Sequence, residues 1–315
     1  MNWKNYLGAL TKVVFVVGPT ASGKSGWALA QAAKHGGVII NSDSVQFYKG
    51  LQVGSAAPTK DDLKKVPHYL YSYVEAPLEM TAGQYIRHFY QLIESAKIKG
   101  PLFIVGGTGF YIQALEKGMY DVEPIGPEIR LQIEDELKNV GAEKLYAELK
   151  AADPGSQIHL NDHFRLVRAI EILRHNGKTP SVLKAESLSQ KNKNSLPFPY
   201  IKVGFAYEKE KALPIVENRT QLMIDGGLIE ETNACLKQGF SDWAPLASVG
   251  YKEAVDYLIH NKSKDWLFEN INKSTMQLIK KQKTWFKRDS TILWSDNSLE
   301  SVSNLDRRVG LFLAN

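Results

Sequence analysis

Three uninterrupted apolar runs, Val13 to Val17, Val38 to Ile40 and Leu102 to Val105, punctuate the first third of the chain. Runs this short, with no polar alternation, suit strands buried on both faces of a parallel sheet. Each gives way to small or polar residues: Gly18 and its neighbours, then Asn41 to Ser44, then Gly106 to Gly109. In open α/β sheets ligands bind where strand C-termini converge, so these three loops are expected to share one site. Between the second and third runs, Tyr85, Phe89, Leu92, Ile93 and Ala96 recur at steps of three and four, which predicts a crossover helix over Ala82 to Lys97.

After Thr108 the period becomes helical, with helices predicted over Glu128 to Val140, Ala142 to Lys150 and Asp162 to His175. The polar stretch Lys184 to Pro199, ending in Leu-Pro-Phe-Pro, reads as a linker, and Ile201 to Ala206 as a strand returning to the core sheet. A helix containing Arg219 ends near Gly226 and Gly227, and Lys252 to Ile259 and Trp266 to Phe286 are helical in period. The expected fold is α/β: a P-loop NTPase-like parallel sheet with helices on both faces, built from residues 1–115 and 200–315 and interrupted by a mainly helical insertion domain over 116–199. No internal repeat or low-complexity segment breaks this arrangement.

At 315 residues the chain is long enough for a large buried core. No apolar run approaches bilayer length and the N-terminal MNWKNYLGALTK is too weakly apolar for a secretory signal, so a soluble protein with no membrane partner is expected. Cys235 is the only cysteine, which excludes an internal disulfide or a multi-cysteine zinc site and points to a reducing, cytoplasmic setting. His159 and His163 have helical i, i+4 spacing, but no glutamate follows His159 and no third ligand is apparent, so capping or polar contacts are expected of them. The net charge of +5 is modest but uneven. Lys262, Lys264, Lys273, Lys280, Lys281, Lys283, Lys287 and Arg288 face only Asp265 and Glu269, a basic stripe that suits a polyanion or, alternatively, a solvated helix face.

The chemistry is concentrated in GPTASGKS, comprising Gly18, Pro19, Thr20, Ala21, Ser22, Gly23, Lys24 and Ser25. Strand, glycine-rich turn and helix occur in the order a phosphate cradle needs, with backbone N–H groups on the anion, Lys24 as a mobile cation and the Ser25 hydroxyl available to Mg²⁺. Nucleotides such as ATP are the usual ligands of this spacing. The third strand, however, ends in Gly-Gly-Thr, without the carboxylate that orients water or metal in such enzymes. Asp43 is the nearest acidic candidate, able to take a proton from an acceptor hydroxyl in a kinase or from an amine in a group transferase. Its structural alternative is a helix N-cap. Thr108, between glycines, either reaches a phosphate oxygen or serves as a turn residue.

Eight ordered blocks carry a broader resemblance: GPTASGKS, NSDSVQFYKGLQVGSAAPT, VPHYL, FIVGGTGFYIQAL, LNDHFRLVRAIEILRHNGKTPS, MIDGGLIEE, SVGYKEAV and KKQKTWFKR. In this order they resemble the tRNA dimethylallyltransferases of the compact bacterial type. The resemblance implies transfer of a dimethylallyl group from dimethylallyl diphosphate to N6 of the adenine beside the tRNA anticodon, with release of diphosphate and Mg²⁺ as cofactor. The phosphate loop then holds a prenyl diphosphate. Asp43 accepts the N6 proton, and Thr108 and Arg219 steady the leaving diphosphate. The tRNA is met by Asp43, Ser44, Val45 and Gln46, by Thr108 and Arg130, by Phe164, Arg165, Leu166, Val167 and Arg168, by the Ala247 to Lys252 segment with Gly250, Tyr251 and Lys252, and by Lys280, Lys281, Gln282, Trp285 and Lys287. Core packing is the alternative for Phe164 and Trp285. A monomer is expected.

Four positions depart from the family pattern: Ala57 stands where a lysine is usual, and Lys209, Ile215 and Met276 where arginines are usual. Each change removes or softens a cation, and lysine for arginine gives up bidentate geometry. Two other readings share these residues: a P-loop small-molecule kinase with Asp43 as base, and a divergent tRNA-binding paralogue with weak activity.

Overall fold

A computed structural model describes residues 11–96, 98–120, 122, 125–189 and 195–315. Among them, β1 (Val13–Val17), β2 (Val38–Asn41), β3 (His68–Tyr69), β4 (Leu102–Gly106), β5 (Tyr200–Phe205) and β6 (Ile292–Ser295) form one sheet in the order β3-β2-β4-β1-β5-β6. Every neighbouring pair is parallel, so all C-terminal strand ends share one edge. The phosphate-loop strand β1 lies between β4 and β5, with Val17 in register with Gly106 on one side and Gly204 on the other.

The chain divides into two compact units, Met1–Ala114 with Pro197–Asn315, and Leu115–Leu196. In the first, α1 (Lys24–His35), α2 (Lys60–Lys65), α3 (Ala82–Ser95) and the start of α4 (Gly109–Lys117) accompany the early strands. Val14, Val16, Phe103, Val105, Val203 and Phe205 meet Trp27, Ala28 and Ala32 of α1 on one sheet face. Val13, Phe15, Val17, Ile104 and Ile40 alternate with them and are equally buried, so both faces are covered, as five unbroken apolar residues require. The strand Ile201 to Ala206 appears one residue earlier, as β5.

The second unit comprises α5 (Pro127–Val140), α6 (Ala142–Ala152), α7 (His163–Asn176) and α8 (Pro180–Ser189). Its core joins Ile133, Leu145, Leu149, Leu166, Val167 and Ile170. Arg174 of α7 holds Glu136 of α5 and Glu148 of α6 at 2.8 and 2.7 Å. Asp162 caps α7, accepting the Arg165 N–H at 3.3 Å. The expected linker starts too early: Lys184–Ser189 continues α8, residues 190–194 lie outside the described set, and 195–199 leads without regular structure into β5. Leu196 N–H donates to Glu116 O at 3.2 Å, drawing together the two ends of this unit.

The first unit resumes with α9 (Lys209–Asp225), α10 (Leu228–Lys237), α11 (Tyr251–Ile259), α12 (Lys264–Phe286) and α13 (Leu299–Ala314). α13 packs Leu305 and Val309 onto the α1 face of the sheet. Asp306 of α13 accepts from Trp27 Nε1 at 2.7 Å and from Gln31 Nε2 at 3.0 Å, fixing both helices. The two-residue β3, the partly polar β6, α2 and α13 have no counterpart in the periodicity reading. Residue 97, at the end of the expected crossover helix, lies outside the described set, as do residues 1–10 of the N-terminal segment considered for a signal. Among the described residues no helix is long and apolar enough to cross a membrane.

Candidate active site

The phosphate loop leaves β1 at Gly18, whose φ of 142° and position against Phe205 O, 2.4 Å from where a Cβ would stand, admit only glycine. Gly23 caps α1 in the left-handed region at φ 83°, with no side-chain cap and no acidic residue in the first turn. The N–H groups at this helix start are thereby left for an anion. Tyr207 Oη and Asn297 Oδ1, from the loops after β5 and β6, each lie 3.5 Å from the same Cβ position on Gly23. Neither residue was singled out by sequence, because neither sits in a recognisable motif.

Lys24 is half-buried, and its Nζ donates to Pro19 O at 3.3 Å. Burial pulls its pKa down to about 8, Asp43 pulling the other way and Arg219 adding to the depression. Burial also lowers the Arg219 pKa, with Asp43 opposing. These couplings place Lys24, Asp43 and Arg219 in one electrostatic cluster: two cations and one carboxylate beside a loop shaped for an anion.

Asp43 is two residues past the end of β2 and starts no helix, so the N-cap alternative falls away. Its N–H donates to Asn41 Oδ1 at 2.7 Å, its Oδ1 accepts from Val45 N at 3.1 Å, and Asn41 Nδ2 holds the Asp43 carbonyl at 3.2 Å. Thr108 ties this segment to the loop after β4. Its Oγ1 accepts the Ser44 N–H at 3.0 Å and donates to Ser44 Oγ at 3.2 Å. Gly106 permits the approach, since a Cβ there would lie 2.2 Å from Ser42 O. The three strand-end loops do converge as the apolar runs predicted.

Other expected site residues divide by burial. Gln282 turns inward: its Oε1 accepts the Thr20 N–H at 2.9 Å and its Nε2 donates to Gly107 O at 3.1 Å, bracing two loops of the cradle. Trp285 lies against Gly109, 2.1 Å from the position of a Cβ there. Tyr251 is fully buried and donates to Glu231, so its side chain is no part of an RNA face. Leu166 and Val167 are likewise core residues of the helical unit, because α7 turns one face inward every three to four residues. Gly250, at φ 96°, gives its N–H to Glu253 at 2.7 Å and shapes the turn into α11. Lys252, Lys280, Lys281 and Lys287 are exposed, whereas Lys283 of the basic stripe reaches inward to Tyr207 O. In the helical unit Phe164 is 72% exposed, with the Arg130 guanidinium 5.8 Å from its ring centroid, and Arg165 and Arg168 are exposed beside it on α7. Core packing is therefore excluded for Phe164. His159 Nδ1 accepts the Asn161 N–H at 3.2 Å, a polar contact, and no group of metal-ligating side chains of the zinc type occurs among the described residues.

The model of the IPP transferase family matches residues 46–289, most of the chain. The chain belongs to the IPP transferase family. The tRNA dimethylallyltransferase of Bdellovibrio bacteriovorus is 48% identical over 289 residues, covering 91% of this chain and 93% of the relative, so the likeness extends beyond the matched stretch. That of Geobacter metallireducens is 36% identical over 307 residues, covering 96% and 98%. The fold is that of a eukaryotic dimethylallyltransferase solved acting on tRNA, with a TM-score of 0.77 at 23% identity over 95% of this chain and 78% of the other. This IPP transferase is therefore a P-loop-like α/β protein with a helical insertion, and its cradle is set in a family of prenyl-transferring enzymes.

Proposed function

We propose that this chain is a tRNA dimethylallyltransferase, moving a dimethylallyl group from its diphosphate to N6 of the adenine beside the anticodon. The observation that carries the reading is the cluster of Lys24, Asp43 and Arg219 at an uncapped helix start, in a chain 48% identical to a relative of that name. The uncapped turn receives the diphosphate, and Lys24 and Arg219 offset the charge that grows on it as the C1–O bond breaks. The adenine amine attacks C1, a C–N bond forms, the C–O electron pair leaves with the diphosphate, and Asp43 takes the N6 proton.

Thr108 holds the Asp43 segment through Ser44 and reaches a diphosphate oxygen only by exchanging its Ser44 Oγ partner. An oxygen-only donor set suits Mg²⁺, and Ser25 presents an exposed hydroxyl in the first turn of α1. When bound there, the ion supplies charge neutralisation on the diphosphate. The exposed Lys280 and Lys281 of α12 suit RNA phosphates, and the exposed Phe164 ring by itself suits a splayed base. The departures at Ala57, Lys209, Ile215 and Met276 are read as tolerated. A cytoplasmic monomer completes the proposal.

The test is mass analysis of an adenine-containing anticodon stem-loop incubated with the protein, Mg²⁺ and dimethylallyl diphosphate. One prenyl group gained on that adenine is the expected outcome. RNA that binds and stays unmodified sinks the reading in favour of a tRNA-binding paralogue.

A further inference from the structure

We propose that Glu231 is a positioning residue for the RNA-accepting side of the site, holding the Asp43 loop through an anion-in-nest contact; the inference rests on the prenyl-transfer reading above. Glu231 lies on α10 at the end of the MIDGGLIEE block, and neither the phosphate loop nor the resemblance assigns it a role. Its Oε2 accepts from Gln52 N at 2.8 Å and Val53 N at 3.0 Å, and its Oε1 from Val53 N at 3.1 Å and Gly54 N at 3.2 Å. Tyr251 Oη donates to the same Oε1. Three successive backbone N–H groups turned to one point ordinarily collect an anion from solution; here a helix supplies it.

The contact is relayed toward the reacting side. Ala56 N–H and Ala57 N–H fold back onto Val53 O and Gln52 O, both at 3.0 Å. Gln46 Nε2 then donates to Ser55 O and Ala56 O, each at 2.9 Å, so bonds run unbroken from α10 to a residue three positions from Asp43. Through Tyr251 the same carboxylate also grips the turn carrying Gly250 and Lys252. One side chain thus joins the two stretches proposed to meet RNA, and touches nothing of the phosphate cradle.

The site is closed to substitutes. Gly54 is buried, and a Cβ on it would lie 2.5 Å from Tyr251 Cζ. A carboxylate is acceptor-only and answers every donor around it, whereas an amide offers one acceptor oxygen and turns N–H groups against N–H groups. Glu231→Gln therefore keeps the volume and breaks the latch. Misplacement at a distance from the chemistry can cost about a hundredfold. The expected result for Glu231→Gln is a fall of roughly 10- to 100-fold in kcat/KM for the stem-loop, on that same principle. Prenyl diphosphate affinity, read by calorimetry, is expected to stay at the wild-type value.

Unchanged stem-loop kcat/KM overturns the proposal. So does a matching loss of prenyl diphosphate affinity, which would mark Glu231 as a general anchor of the fold. Tyr251→Phe removes one donor and keeps the ring, and decides the matter should Glu231→Gln not fold: a smaller loss confined to the stem-loop supports the latch, and no loss refutes it. Wild-type turnover in the same reactions separates the two questions. Wild type that prenylates alongside unaffected variants counts against Glu231 alone, and wild type that does not counts against the prenyl-transfer reading.

Discussion

Thr20 and Gln282 stand 262 positions apart in sequence and 2.9 Å apart in space, the Thr20 N–H resting on Gln282 Oε1. The phosphate loop is therefore braced from α12, and the same amide reaches Gly107 after β4. Gln282→Ala should weaken prenyl diphosphate binding more than RNA binding. Two lost hydrogen bonds of about 1 kcal/mol each correspond to a Kd rise of roughly 30-fold. Calorimetric titration with the diphosphate checks this, and a loss seen only with RNA would return Gln282 to the RNA face.

Lys24 sets a pH limit. Burial holds its pKa at about 8, so the ammonium is charged below that pH and loses its proton as pH rises through it. Prenyl diphosphate affinity should fall across that window, and binding above it should take up a proton, visible as a buffer-dependent enthalpy. The fold responds in the opposite direction. The unfolded lysine keeps its proton to about its ordinary pKa of 10.5, so this group's contribution to stability rises with pH between about 8 and that value. Lys24→Ala should abolish both dependences, and a pH-independent wild-type affinity between 7 and 9 would contradict the assignment.

Asp43→Ala should lower turnover by about 10² to 10⁴-fold, the usual worth of a positioned base. Diphosphate binding should survive near neutral pH, shifted to lower pH because Asp43 supports the charge on Lys24. Single-turnover rates compared with binding isotherms separate these effects. Unchanged turnover removes Asp43 from the mechanism.

On α7 two neighbouring residues should behave oppositely. Phe164 is mostly exposed, so Phe164→Ala should leave thermal unfolding unmoved and weaken stem-loop binding by about 1–3 kcal/mol, the worth of one stacked base. Leu166 is fully buried, and Leu166→Ala should cost about 2–5 kcal/mol of stability. Paired melting and RNA-binding curves make the test. A destabilised Phe164→Ala with normal RNA affinity would reverse the roles.

The buried strands and the cradle were legible because each rests on a local rule: unbroken apolar runs, and glycines placed where the backbone must turn. Helices α5 to α7 were legible for the same reason, through their period. β3 was not, being two residues whose partner is supplied by β2, and β6 was not, because its apolar run is only Ile292 to Trp294 and no glycine-rich or motif-bearing loop follows it. The inward turn of Tyr251, and the bonds that brace Gln282 against the cradle, were not legible because a motif gives proximity to a site without direction. Which way a side chain turns depends on residues far off in sequence, here Thr20 and Glu231. Residues of the Glu231 nest fall within MIDGGLIEE, NSDSVQFYKGLQVGSAAPT and SVGYKEAV, but the contact itself was not legible, since its main donors are backbone groups common to every residue but proline.

The bond from Leu196 N–H to Glu116 O makes the helical unit a closed excursion: the chain departs after β4 and returns to β5 through one neck. Those strands flank β1 on either side, so the pairing on which the cradle depends is complete without the excursion. Its contents can be lengthened, shortened or exchanged while the catalytic sheet keeps its register.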